Sequence, residues 1–125
     1  MCVLGSRERL CSNRDVLDVN EGTLQHRCKM AIKEERCSYY AGLQENDYAQ
    51  AVYQQLVKPS DSSIFDIEDL WSLGQCETGC SFFTSQVLVA DAEIVFCPYN
   101  YLLDPSMSKA LKINLGEAVV VLDEG

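Results

Sequence analysis

The sequence lacks the features that would place it in a membrane or direct it to secretion. Its 125 residues contain no apolar stretch close to the roughly 20 residues that a bilayer crossing needs. Residues 1–5 carry no basic segment followed by an apolar one, so we expect no secretory leader. Apolar residues make up 47% and charged residues 23%, which excludes a disordered chain and fits one domain. The net charge of −9 argues against a protein that simply coats nucleic acid.

Two familiar cysteine patterns are also absent, although cysteine itself is abundant. No C-x-x-C pair occurs, so the usual zinc-ribbon and thioredoxin signals are missing. Seven cysteines is an odd number, so a complete disulfide framework cannot use them all. In the reducing compartment expected without a leader, clustered cysteines more often bind metal or perform redox chemistry. The seven are Cys2, Cys11, Cys28, Cys37, Cys76, Cys80 and Cys97.

Basic residues are scarce outside the first third of the chain. Residues 1–37 hold seven of the ten Lys and Arg and have a net charge of +1, whereas residues 38–125 have a net charge of −10. The basic segment also carries several of the cysteines. One interpretation is a solvated helical face; the other is a surface that contacts phosphates near a metal site.

The hydrophobic pattern divides the chain into three parts and contains no internal repeat. Residues 1–10 begin with an apolar run that stops at Gly5, as at the end of a buried strand. Residues 11–86 are predicted to be mainly helical, because apolar residues recur at helical spacing. Residues 87–125 mix strand and helix signals. The predicted helices carry Leu24, Cys28 and Ile32; Tyr48, Val52 and Leu56; residues 66–71; Phe83 and Val87; and residues 99–111.

Single residues predict several element boundaries. Asp66 is expected to cap a helix that Gly74 ends. Residues 93–97 have the composition of a strand, and Pro98 ends it. Pro105 is expected to break or start a helix in the segment that follows.

An apolar β-branched run at residues 118–122 leads directly into Asp123 and Glu124. Such a run is typical of a parallel strand buried on both faces, and with two following acids it forms the Walker B pattern. In that pattern Asp123 would hold the magnesium ion of Mg-ATP, and Glu124 would activate the attacking water. The alternative is that both acids are turn residues. The chain contains no G-x-x-x-x-G-K-[ST] phosphate loop, so a nucleotide site would need residues from elsewhere.

Seven segments of the chain follow one another in the order of a known family's motifs. They are residues 3–11, 27–29, 36–40, 66–70, 79–83, 97–104 and 119–124. Together they resemble the XPD-like iron–sulfur DNA helicases, and the last resembles helicase motif II. The resemblance implies an α/β fragment of a RecA-like helicase motor domain interrupted by a mainly helical iron–sulfur cluster insertion. Residues 1–10 would then end a strand of motor domain 1, residues 11–86 would form the cluster domain, and residues 87–125 would return to motor domain 1.

The resemblance also implies a [4Fe–4S] cluster. Four thiolates can hold such a cluster, and they need not be closely spaced in sequence. Its ligands would be Cys11, Cys28, Cys37 and Cys80. Cys76 matches no family ligand and is the main rival to Cys80. We expect Cys2 and Cys97 to be small buried side chains in strands. Ser81 departs from the family, which usually has proline after the fourth cysteine.

The basic segment supplies the candidates for DNA binding, which are Arg7, Arg27, Lys29 and Lys33. Arg7 precedes Cys11 by four residues, where the family has an arginine beside the cluster. Its expected role is a hydrogen bond near a cluster thiolate or a contact with a DNA phosphate. The aromatic residues after two ligand cysteines either surround the cluster or stack on single-stranded bases. These are Tyr39, Tyr40, Phe82 and Phe83, and His26, the one histidine, is expected at the surface.

As a whole, the resemblance implies an ATP-dependent 5′→3′ DNA helicase acting in the nucleus in genome maintenance, by DNA repair, recombination control or telomere upkeep. Its partners would be DNA (single strands and duplex junctions), ATP and the rest of the helicase chain, with no membrane. The 125-residue chain alone is expected to be inactive as an ATPase, because the phosphate loop is missing. A different class stays open, namely a structural or nucleic-acid-binding module stabilised by a Cys₄ zinc site.

Overall fold

The computed structural model of the chain describes residues 1–45, 48–57, 64–111, 113 and 115–123. Short helices make up most of it, so the prediction that residues 11–86 are mainly helical is confirmed. Pro105 starts a helix in the first-turn position that suits a residue without an N–H. In chain order the elements are β1 (Cys2–Val3), α1 (Arg7–Leu10), α2 (Arg14–Leu17), α3 (Leu24–Lys33), α4 (Ser38–Glu45), α5 (Tyr48–Val52) with a π-helical continuation (Tyr53–Val57), α6 (Ile67–Cys76), α7 (Ser81–Leu88) with a 3₁₀ turn (Val89–Asp91), β2 (Val95–Phe96), α8 (Tyr99–Leu103) and α9 (Pro105–Ala110).

The two strands pair in parallel although almost the whole helical segment separates them in sequence. Cys2 lies opposite Val95 and Val3 opposite Phe96. The Cys2 amide donates to the Ile94 carbonyl at 2.8 Å. The helices α1 to α7 therefore form a long helical connection between the two neighbouring strands of this sheet. The predicted strand before Pro98 is confirmed, but it is shorter than residues 93–97.

The described residues form two apolar clusters, one among the helices and one beside the strands. The helical cluster is made of Leu10, Tyr48, Val52, Phe65, Leu70 and Phe82. The strand cluster is made of Leu4, Tyr101 and Leu111, with Val95 and Cys97 packed against it. Tyr101 also donates a hydrogen bond from its hydroxyl to the Gly5 carbonyl at 2.9 Å. This bond links α8 to the backbone between β1 and α1.

The predicted start of α6 is confirmed, but its predicted end is wrong. Asp66 caps the helix in a reciprocal capping box with Asp69. Gly74 lies inside the helix, which runs on to Cys76. A Cβ at Gly74 would overlap the Ser81 hydroxyl, so this glycine allows close packing and does not end the helix. The turn comes at Thr78, which takes the left-handed conformation with φ of 53°.

The predicted strand at residues 118–122 is wrong: the structure places these residues in no strand. Val119 and Val121 are 92% and 84% exposed. A strand buried on both faces needs a neighbour and covering helices, and the sheet described here contains β1 and β2 only. Asp123 lies in an exposed turn, while Glu124 and Gly125 lie outside the described residues. None of the described helices has the length and apolar content needed to cross a bilayer.

Candidate metal centre

The four cysteines that the resemblance assigns to a cluster lie on or next to four different helices. Cys11 directly follows α1, and its amide donates to the Arg7 carbonyl at 2.8 Å. Cys28 lies within α3, Cys37 directly precedes α4, and Cys80 is the N-cap residue of α7. All four side chains are partly buried. Each is therefore placed by helix packing and not by a shared local loop.

Cys37 and Cys80 are reached by the same backbone turn. The helices before them end at left-handed residues, Glu35 with φ of 55° and Thr78 with φ of 53°. In both turns the amide of the next residue donates to the helix carbonyl five positions back, at 2.8 and 2.9 Å. A cysteine, a serine and two aromatic residues then follow. The two segments are residues 35–40, the Cys37 corner, and residues 78–83, the Cys80 corner.

The prediction of no internal repeat missed this short correspondence. Its signal in the sequence was Cys-Ser followed by two aromatics, which occurs at residues 37–40 and again at 80–83. The hidden part is the turn itself, because neither Glu35 nor Thr78 is the glycine that marks such helix ends. Cys37 and Cys80 thus share one local geometry that only the structure reveals.

The aromatic residues of the two corners contact each other. Tyr40 and Phe83 meet edge to face with ring centroids 5.1 Å apart, and Phe82 lies 5.2 Å from Phe83 in the same manner. The Arg7 guanidinium lies over the Phe82 ring at 4.1 Å. These contacts favour packing over base stacking for the three rings. They also place Arg7 against the Cys80 corner.

Two of the four thiols have a pKa that neighbouring thiols raise. Burial, together with charge on Cys37 and Cys11, raises the pKa of the Cys80 thiol to about 12. Burial also raises the pKa of Cys11, to which Cys28 and Cys37 add. Like charges with this mutual effect are costly as bare thiolates, so a positively charged metal group would stabilise them together.

A single zinc ion needs its thiolates to converge closely. Zn–S bonds of about 2.3 Å bring the sulfurs of a zinc site within about 4 Å of each other. Among the described residues, no three His, Cys, Asp or Glu side chains converge closely enough to hold one metal ion. The donor set of four partly buried thiols is the one that iron–sulfur clusters use.

The other three cysteines lie in different surroundings. Cys76 is exposed in the last turn of α6. Cys2 is fully buried and donates from Sγ to the Ser85 carbonyl at 3.2 Å, and burial raises the pKa of its thiol to about 11. Cys97 is partly buried in the strand cluster. The expectation of buried small side chains is thus confirmed for Cys2 and only in part for Cys97.

The four candidate DNA-binding residues fall into two groups. The Arg27 side chain donates to three backbone carbonyls, including that of Val16 from Nε at 2.8 Å and that of Gly22 from Nη1 at 2.7 Å. Arg7 is engaged with Phe82, and its Nε is buried with no partner in the described part of the chain. Lys29 and Lys33 are exposed one turn apart on α3. The structure therefore leaves these two lysines facing solvent, as it does the neighbouring His26.

Comparison with known proteins supplies the family. The DEAD_2 family matches residues 1–125. The chain is 40% identical over 123 residues to "Regulator of telomere elongation helicase 1 homolog" of Drosophila yakuba, which covers 98% of this chain and 12% of that protein. It is 38% identical over 125 residues to the human "Regulator of telomere elongation helicase 1", covering 99% of this chain and 10% of that protein. No solved structure matches.

The chain thus spans about a tenth of the length of these relatives. Within the XPD-like group, its motifs are most like the regulator of telomere elongation helicase and next most like FancJ. The relatives found agree with the first of these resemblances. With a match over its whole length, the chain belongs to the DEAD_2 family.

Proposed function

We propose that this chain is the iron–sulfur part of an ATP-dependent 5′→3′ DNA helicase that acts in genome maintenance in the nucleus. In this proposal β1 and β2 belong to a RecA-like motor domain, and α1 to α7 form the cluster insertion between them. The observation that carries it is the placement of four partly buried cysteines by four separate helices, with Cys28 and Cys37 raising the pKa of Cys11, and Cys37 and Cys11 raising that of Cys80. The name of the relatives, a helicase of telomere elongation, supports the choice of function.

The proposed ligands of a [4Fe–4S] cluster are Cys11, Cys28, Cys37 and Cys80. When bound, the cluster would supply four metal–thiolate bonds that fasten the helices of the insertion to one another. The segment between Cys37 and Cys80 would then be a long loop closed at both ends, and the metal–thiolate bonds would offset the entropy that its closure costs. The aromatic side chains of Phe82 and Phe83 shield this region from water beside Cys80.

The nucleotide chemistry of the proposed helicase needs residues beyond this chain. Asp123 would hold the magnesium ion of Mg-ATP, and Glu124 would act as the general base toward water. The phosphate loop and the second motor domain would come from the rest of the helicase chain. DNA, as single strands and duplex junctions, is the proposed partner of the assembled motor.

Metal and acid-labile sulfide analysis tests the cluster directly. We expect the full-length protein, purified without oxygen, to contain about four irons and four sulfides per chain, because the donor set is four thiols. The same sample is measured for zinc. One zinc per chain with no sulfide would reject the proposal in favour of the Cys₄ zinc module.

The salt dependence of single-stranded DNA binding tests the role of α3. Replacing Lys29 and Lys33 together by glutamine should flatten the slope of log affinity against log salt by about 1.4, because each lost phosphate contact on single strands contributes about 0.7. Lys109→Gln is the control, since Lys109 is an exposed lysine on α9 outside the candidate DNA-binding set. An unchanged slope in the double variant would assign the lysines to a solvated face.

A further inference from the structure

The Cys80 corner is held by a buried hydroxyl pair, whereas the corresponding serine of the Cys37 corner is exposed. Tyr48 and Ser81 are 1% and 0% exposed, and their hydroxyl oxygens lie 3.2 Å apart. The Ser81 hydroxyl donates to the Leu70 carbonyl of α6 at 2.9 Å. Ser38, at the same place in the Cys37 corner, faces solvent. The two ligands therefore share a turn but differ in what holds it.

The Tyr48 ring occupies the space over the glycines of the turn. A Cβ on Gly79 would overlap the Cγ, Cδ1 and Cδ2 atoms of the ring. A Cβ on Gly74 would come within 3.0 Å of the Tyr48 hydroxyl. The tyrosine thus contacts the residue before Cys80 with its ring and the residue after Cys80 with its hydroxyl.

The hydroxyl pair can be fully satisfied. When Ser81 Oγ donates to the Leu70 carbonyl at 2.9 Å, the Tyr48 hydroxyl can donate to Ser81 Oγ at 3.2 Å or to the same carbonyl at 3.4 Å. Each hydroxyl then donates once, which matters because a buried hydroxyl without a partner is costly. A phenylalanine at position 48 would fill the same volume, so the hydroxyl adds orientation and not bulk.

We infer that Tyr48 and Ser81 are positioning residues for the Cys80 thiol, an inference that rests on the proposed cluster. Both neighbours of Cys80 are fixed to α6 and α5 through the same tyrosine, and the Cys80 carbonyl accepts from the Thr84 amide at 3.0 Å. The direction of the Cys80 side chain is therefore set by the pair. Partners outside the ligands themselves orient metal-binding side chains and tune the metal group.

The test compares hydroxyl deletions at the two corners in the full-length protein, purified without oxygen. Tyr48→Phe and Ser81→Ala remove the buried pair. Tyr40→Phe and Ser38→Ala are matched controls: the Tyr40 hydroxyl accepts a long bond from the exposed Gln44 amide at 3.4 Å, and Ser38 is at the surface. The measurements are iron and sulfide content, the rate of iron loss to a ferrous chelator, and the electron paramagnetic resonance spectrum after reduction by dithionite.

We expect Tyr48→Phe and Ser81→Ala to acquire iron and sulfide but to lose iron about tenfold faster than the unmodified protein, the lower end for loss of an outer partner. Their resonance spectra should differ from that of the unmodified protein, while both controls keep its rate and spectrum. Faster loss with an unchanged spectrum would indicate a merely structural role and overturn the inference. Identical behaviour of all variants would also overturn it, and Ser81→Ala decides alone if Tyr48→Phe does not fold. No iron or sulfide in the unmodified protein would instead overturn the proposed function.

Discussion

Cys80→Ala is expected to abolish cluster binding, whereas Cys76→Ala is expected to retain it. The two thiols are four residues apart but differ in their surroundings. Cys80 is partly buried, and charge on Cys37 and Cys11 raises the pKa of its thiol, whereas Cys76 is exposed on α6. We expect Cys80→Ala in the full-length protein to lose its iron and the absorbance near about 400 nm that thiolate-ligated iron–sulfur centres show. The insertion should also become protease-sensitive, because ligation no longer closes the segment that begins at Cys37.

Cys76→Ala is the control in this comparison, since it removes a thiol from the same part of the chain. If Cys76→Ala bleaches and Cys80→Ala keeps its colour, the assignment of the fourth ligand is wrong. That result would leave the family membership untouched, because the family match does not depend on which of the two thiols binds.

Gly79→Ala is expected to open the Cys80 corner. The added methyl group would overlap the Tyr48 ring. Because Tyr48 is itself buried, its ring cannot move away without displacing other side chains. Overpacking of this kind costs about 3 kcal/mol at the upper end. Since about 1.4 kcal/mol corresponds to a tenfold change, proteolysis within α6 and α7 should become about a hundredfold faster when cleavage follows local opening.

The measurement for Gly79→Ala is limited proteolysis of the full-length protein with mapping of the cut sites. Gln75→Ala is the control, because Gln75 is exposed on α6, the helix before the turn, and alanine favours helices. Equal cleavage rates in the two variants would show that the turn can accept a side chain, contrary to the packing of Tyr48 against it.

Local chemistry made part of this fold predictable. The Asp66 carboxylate accepts from the Asp69 amide at 2.9 Å, three residues away, so the start of α6 could be predicted from its own sequence. The end of α6 could not, because Gly74 accommodates Ser81 and lies near Tyr48, contacts that only the folded chain creates. The left-handed turn at Thr78 could not be predicted either, because no glycine marks it in the sequence.

Other expectations also have physical limits. Arg27 was predicted as a DNA contact from its charge and stays a prediction, and charge alone does not reveal that backbone carbonyls already engage its guanidinium. The run at residues 118–122 has strand composition, and composition cannot supply the neighbouring strands that would bury it. The ligand set came from motif order and stays a prediction. What the structure adds is the shared turn of Cys37 and Cys80, which sequence reasoning did not detect.

The parallel pairing of β1 with β2 has a consequence for how the protein is made. Cys2 finds its partner Val95 only after more than ninety residues have been synthesised. At about 5–20 residues per second, about 5–20 seconds pass before β1 can pair with β2. During that time the apolar side chain of Leu4, buried in the finished fold, lacks its contacts with Tyr101 and Leu111. Early packing of helices α1 to α7 would shorten the loop that must close between β1 and β2. During translation the helices would therefore pack before the two strands pair.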